Sequence, residues 1–217
     1  MMNTKIQQSL ESPSHYADLF ALLHDVQKEN LDGTHAQARE LLSETDYPIS
    51  EPTVLNGQDI EEKSLAGRYL WENGSRSYGL NDTTRNQGVI LNTLDKIQQD
   101  EPDVFRKLRF WQESLKTDPL ESLLNELARE TFVLYVPKFA VVSRELLLDI
   151  VLSKARQNAF MRFWVYLEAG AQAVFTINLR SRTAEEENFY TGSLQVFVGD
   201  GAHLILNEIQ DFHQRVY

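Results

Sequence analysis

The last third of the chain repeats itself, and that repeat limits what the chain can fold into. Val165-Tyr166-Leu167-Glu168-Ala169-Gly170-Ala171-Gln172-Ala173-Val174-Phe175 returns 31 residues later as Val196-Phe197-Val198-Gly199-Asp200-Gly201-Ala202-His203-Leu204-Ile205-Leu206. A looser copy, Val133-Leu134-Tyr135-Val136-Pro137-Lys138 through Ala140-Val141-Val142, lies 32 residues earlier. Each copy is a β-branched and aromatic run, a tight break and a second apolar run. Repetition at a fixed period is the mark of stacked units that bury their faces against one another.

From residue 132 the hydrophobic period is two. Strands are expected at about 132–136, 140–142, 146–152, 160–168, 171–178, 193–198 and 203–209. Breaks fall at Pro137-Lys138, Ala169-Gly170 and Asp200-Gly201. A sandwich or a cupin-like roll would tolerate these runs, but neither needs the self-similarity, so stacked coils of a right-handed parallel β-helix are the expected form.

The front of the chain reads as helical. Leu19, Leu22, Leu23 and Val26 make an i, i+3, i+4, i+7 stripe, predicting a helix over about 15–28. Asp32-Gly33 stops it and Thr34 opens a second helix to about Leu42. Residues 45–58 read as a loop, 60–71 as a helix and 73–87 as turn-rich. Gly88-Val89-Ile90-Leu91 is a short strand, followed by helices from Leu94, from Pro102 (with Val104, Leu108, Trp111 and Leu115 on one face) and from Asp118-Pro119. The expected fold class is therefore α+β: a mainly helical region over 1–130, then β-helix coils over 131–217.

Function classes narrow through absences and charge. The chain has no cysteine, so it holds no disulfide, thiolate nucleophile or cysteine-ligated cluster by itself. Its net charge is −11, which disfavours phosphate backbones and anionic lipid, so neither nucleic acid nor membrane is an expected partner. Residues 1–10 lack the apolar core of a secretion signal, and no apolar run approaches a membrane span. The expected compartment is the cytoplasm. No phosphate loop, nucleophile elbow or zincin motif occurs.

Five motifs, in order, resemble the SufB/SufD family of iron–sulfur cluster assembly scaffolds. Phe132-Val133-Leu134-Tyr135-Val136-Pro137-Lys138 resembles its F-x-Y-V-P-K-G strand. Gly88-Val89-Ile90-Leu91-Asn92-Thr93-Leu94 with Glu101-Pro102-Asp103-Val104 is similar to the segment before it. Phe160-Met161-Arg162 into Val165–Ala171, and Leu194–Ala202, resemble two successive coils. Ile209-Gln210-Asp211-Phe212 through Val216-Tyr217 is similar to the I-Q-N-W…N-V-Y that follows in SufB. The resemblance covers about residues 88–217. It implies a non-enzymatic, SufD-like scaffold whose partners are a SufB-like paralogue and a SufC-like ABC-type ATPase. A homodimer is the further oligomeric option.

The resemblance has gaps. Phe139 stands where the family has glycine, and Leu179 stands where SufB has its β-helix cysteine. Nothing near Val151 matches an Arg-x-Asn pair. Gln210 matches a SufB glutamine, and Phe212 replaces a tryptophan. The family continues through further coils and a C-terminal helical segment, so the chain is expected to be the front of such a scaffold or a short form.

No residue is expected to be catalytic, cofactor-binding or metal-ligating, and the iron–sulfur cluster belongs to the full complex. His15, His24, His35, His203 and His213 show no metal-site spacing. Glu185-Glu186-Glu187 reads as a solvated turn, and Trp71, Trp111 and Trp164 as core or interface residues. The alternative function is a β-helical carbohydrate-active enzyme or polysaccharide-binding module. It is weakened because Glu168, Asp200 and Glu208 do not line up as a ladder of coil acids.

Overall fold

The computed structural model describes residues 50–115, 121, 124, 125, 127–154, 158–182, 188–213 and 216. The expected helices over 15–28 and 34–42 lie outside these residues, as do residues 118–120 of the helix expected from Asp118. Ten strands occur: β1 Thr53–Val54, β2 Gly67–Glu72, β3 Ser75–Leu80, β4 Ile90–Thr93, β5 Glu130–Val136, β6 Val141–Leu152, β7 Asn158–Leu167, β8 Gln172–Ser181, β9 Phe189–Val198 and β10 His203–Asp211. Helices α1 Gly57–Glu62, α2 Asp82–Asn86, α3 Leu94–Asp100 and α4 Pro102–Glu113 accompany them, and Glu121, Leu124, Asn125 and Leu127, within the helix expected from Asp118, are helical as well.

The strands form two sheets. Sheet A runs β1-β3-β2-β6-β8-β10 and sheet B runs β4-β5-β7-β9. The 31-residue period of the sequence is the register of three parallel pairs, β8–β10, β5–β7 and β7–β9: Gln172 lies beside His203, Met161 beside Glu130, and Val196 beside Val165. In the first copy the register is 31 as well, with Leu134 rather than Val133 beside Val165. In the β6–β8 pair Val141 lies beside Gln172, 31 residues on, and a register shift before Glu145 sets the rest of the pair at 29, with Leu148 beside Ile177.

The breaks share one geometry. Phe139, Gly170 and Gly201, each 31 apart, take φ of 63°, 70° and 66°. Their turns interlock, because Phe139 N donates to Ala169 O (3.1 Å) and Gly170 N to Asp200 O (2.9 Å). Left-handed backbone suits glycine and costs any other residue, so Phe139 is a strained member of the series.

The core lies between the walls. Leu146, Leu148, Ile150 and Leu152 of β6, and Ala173, Phe175, Ile177 and Leu179 of β8, face Met161, Phe163, Val165 and Leu167 of β7. Alternate residues of sheet B face outward, where α3 and α4 cover them. Tyr135, Tyr166 and Phe197 occupy one position of three successive rungs and stack at 6.1 and 4.4 Å. Trp111 of α4 meets Trp164, Tyr166 and Phe197 edge-on. Such aromatic pairs contribute roughly 0.5–1.5 kcal/mol each beyond burial.

The expected α+β class, a helical front region leading into a right-handed parallel β-helix, is corrected by this arrangement. The described residues are mostly strand, in two mixed sheets, and no helical region precedes the stack among them. Residues 60–71, expected as helix, split into the end of α1 and strand β2. Gly67, Tyr69 and Trp71 are buried while Arg68, Leu70 and Glu72 are half-buried, which is a period of two. Asn73-Gly74 then makes a two-residue hairpin with both φ positive (49° and 86°), the type I′ form that matches strand twist. Within the expected turn-rich segment, residues 75–80 return antiparallel as β3. β2 pairs in parallel with β6, and β4 antiparallel with β5. Both sheets and their core therefore run across residue 130.

Candidate interaction surface

Among the described residues β10 is last in sheet A and β9 last in sheet B, so both walls finish on the same side in edge strands, the open end of the described stack. An isolated parallel bridge, Asn188 to Val216, lies on the outer side of β9. Unpaired N–H and C=O groups along an edge are a template for further strands. Val196 (41% exposed) and Val198 (45%) of β9 are uncovered there, while Ile205 (60%) and Ile209 (51%) of β10 are exposed on the outer face of sheet A, in register with Val174 and Asn178. Val196 and Val198 occupy the rung positions that Val165 and Leu167 fill inside the core one layer below.

Parallel in-register pairing puts paired residues on the same face, so the interior can be followed row by row. One row reads Leu148, Ile177, Glu208, and the next Ile150, Leu179, Gln210. The first two members of each row are buried core, while Glu208 and Gln210 are exposed. Gln210 Nε2 donates to Glu208 Oε1 at 2.5 Å. Across the interior, burial and the Glu208 charge both raise the Tyr190 hydroxyl far above its ordinary range.

Elsewhere, buried acids serve the fold. Glu130 accepts from Trp71 Nε1 (2.9 Å) and from Arg76 (2.6 Å), and burial raises its carboxyl against the opposing pull of Arg76. Asp149 accepts from Arg68 (2.6 Å) and Asn178 (2.7 Å) on the outer face of sheet A. Glu168 ties α4 to the β7–β8 turn by accepting from Lys107 and from Tyr135 OH (2.8 Å). Burial alone would raise the Glu168 carboxyl, but these bonds outweigh it and hold it below the ordinary range. At the other end of the stack a cleft of about 580 Å³ opens between β3 and α3. Two of the cations at its rim, Lys96 and Arg85, are paired with Asp100 (3.2 Å) and Asp82 (3.1 Å).

The residues singled out from sequence are scattered. His203 sits exposed at the start of β10 and His213 is exposed beyond its end. His15, His24, His35 and Glu185–Glu187 lie outside the described residues. Among the described residues no three His, Asp or Glu side chains converge as metal ligands. Leu179 is buried in the core, Gln210 lies at the open end, and Phe212 packs on Tyr190 at 5.4 Å. Trp71 and Trp164 are fully buried and Trp111 nearly so. Comparing Glu208 with the other coil acids does not reveal the polar interior row. Comparison with Ile177, 31 residues back, would have exposed it. No protein-family model and no curated protein matches the chain. No helix among the described residues is long and apolar enough to cross a membrane.

Proposed function

We propose that the protein is a non-enzymatic scaffold subunit of the Suf iron–sulfur cluster assembly machinery, SufD-like, acting in the cytoplasm with a SufB-like scaffold and a SufC-like ATPase. The ordered motif series from Gly88 to Tyr217 supports the family reading. The observation that carries the scaffold role is the body of parallel, in-register strands, β5-β7-β9 in one sheet and β6-β8-β10 in the other, closed on one apolar core. Such a body is stiff, so a partner docked on it is held in a fixed orientation. ATPase subunits could then move the pair as rigid levers. The cluster itself is cargo of the assembled complex.

The carbohydrate-enzyme alternative has less support. Glu145 and Asp149 are the acids on the outer face of β6, and four residues along a strand separate them by about 13 Å. Acid pairs of glycosidases stand roughly 5–9.5 Å apart. Asp149 is moreover neutralised by Arg68.

The test is co-purification of the tagged chain with a SufB-like scaffold and its ATPase, beside a Val198→Asp variant. Capture of the scaffold by the parent chain, lost in the variant, is the expected result. Capture of neither partner by the parent chain overturns the proposal.

A further inference from the structure

We infer that Phe139, flanked by Lys138 and Val141, anchors a partner chain that presents an apolar side chain beside a carboxylate. The inference rests on the scaffold reading and names a contact of the SufB-like partner away from the open end.

The turns at Phe139, Gly170 and Gly201 are each closed by one backbone bond: Ala140 N to Pro137 O (3.1 Å), Ala171 N to Glu168 O (3.1 Å) and Ala202 N to Gly199 O (3.0 Å). In each, the third of the four residues has a positive φ and the second does not, the form that calls for glycine at its third position. Gly170 and Gly201 satisfy it without strain, while the first turn carries a phenylalanine. Burial of the ring would offset that strain, but Phe139 is 70% exposed, and Val141, two residues on, is 49% exposed. Strain at a surface aromatic that the fold does not cover points to a contact outside the fold.

The ring is held in one place. Phe139 N donates to Ala169 O (3.1 Å) and Lys138 N donates to Glu168 Oε2 (3.1 Å), so the turn is tied to the layer above it. The ring lies against Gly170, where an added Cβ would come within 2.5 Å of Phe139 Cδ1. Lys138 Nζ sits 5.1 Å from the ring centroid, and among the described residues no carboxylate pairs with that ammonium. A fixed aromatic offers contact area at little entropic cost, and a free ammonium at its side favours an acidic neighbour. The stack of coils does not grow over this patch. Its turns lie in the order Phe139, Gly170, Gly201, so a further coil would add beyond Gly201. On the other side Gln87 Oε1 accepts from Val141 N (2.9 Å), and Gly88 lies beside Pro137. The open side of the ring is therefore lateral, between two occupied layers.

The test uses the whole chain, which has no cysteine, so Val141→Cys gives a single labelling site. Alone, that thiol should react with a maleimide within about tenfold of its rate in urea. Slower labelling would mean that another part of the chain covers the patch, and would overturn the inference. Adding the SufB-like scaffold should suppress the labelling. Phe139→Gly places in this turn the residue that the next two turns already use, and should bind the scaffold at least about tenfold more weakly. Phe139→Asn, which also tolerates positive φ, should behave alike, with thermal unfolding as the check that both variants fold. Lys138→Ala should weaken binding about three- to tenfold and flatten its salt dependence; an unchanged affinity would overturn the acidic part of the inference. Equal affinity of the parent and Phe139→Gly chains would overturn the inference and leave the scaffold reading standing. Capture of neither the scaffold nor the ATPase would overturn both. A dimer of this chain that Phe139→Gly dissolves would make a second copy the occupant and overturn the inference.

Discussion

Replacing Arg76 with methionine should destabilise the fold by an amount that depends on pH. Arg76 and Glu130 are both largely out of water, at 14% and 7% side-chain exposure, and their ion pair spans 2.6 Å. Removing the guanidinium leaves a buried carboxylate with Trp71 Nε1 as its remaining side-chain donor. Breaking a buried pair from one side costs about 3–5 kcal/mol. The carboxyl can limit that cost by taking a proton, which costs about 1.4 kcal/mol for each pH unit between its free value and the working pH. With Glu130 held neutral, the penalty at pH 7 is roughly 3–4 kcal/mol, and at pH 5.5 it falls by up to about 2 kcal/mol. The direction follows from linkage. Burial raises the Glu130 carboxyl in the folded chain, so the folded state binds more protons than the unfolded one between the two pKa values. Stability therefore declines as pH rises through that window and recovers as pH falls. Urea unfolding at the two pH values, followed by tryptophan fluorescence, measures the change. Arg76→Met with Glu130→Gln should lose the pH dependence while keeping any loss from the Arg76 bonds to Ser50 O. A penalty equal at both pH values would refute the argument that an ionised, buried Glu130 is what Arg76 neutralises.

Three shorter predictions follow from the same contacts. Trp111→Ala should cost about 3–5 kcal/mol in chemical denaturation, because the indole packs against two rungs at once; a loss under about 1 kcal/mol would mean that α4 is not anchored there. Phe139→Gly should be more stable than Phe139→Ala by roughly 0.5–1 kcal/mol, since both lose the ring and glycine alone relieves the left-handed strain; the reverse order would deny that strain. Glu168 has a lowered carboxyl, so its contribution is present above the ordinary carboxylate range and is lost as pH falls through the folded value. Glu168→Gln should therefore flatten acid unfolding below about pH 4.5, and an unchanged acid limb would exclude the Lys107–Glu168–Tyr135 link as its source.

Much of the back half was legible because its information is local and repeated. The breaks at Pro137-Lys138, Ala169-Gly170 and Asp200-Gly201 and the runs between them locate strands β5 and β7 to β10, and the offset of 31 is the register of the β5–β7, β7–β9 and β8–β10 pairs, while the runs expected at 140–142 and 146–152 join as the single strand β6. Pro102 and Leu94 likewise mark the starts of α4 and α3. The helix expected over residues 60–71 and the turns expected over 73–87 differ from the β2–β3 hairpin because the apolar spacing there suits either a helix or a strand. Asn73-Gly74 is the local signal that separates the two, since it is the hairpin turn itself.

The open end was half legible. The edge follows from counting repeats, but its chemistry depends on which face each residue takes. Glu208 lies in the interior because β10 pairs in register with β8, placing it above Ile177. By itself the sequence determined the period, the turn positions and the absence of cysteine chemistry, since each is a property of neighbouring residues or of composition. Tertiary structure alone decided that β2 joins β6 and β4 joins β5, that Trp71 and Arg76 meet Glu130 across more than fifty residues, and that an acid sits in an apolar row. Those contacts join segments far apart in the chain, and their free energy exists only once the two walls close on a common core.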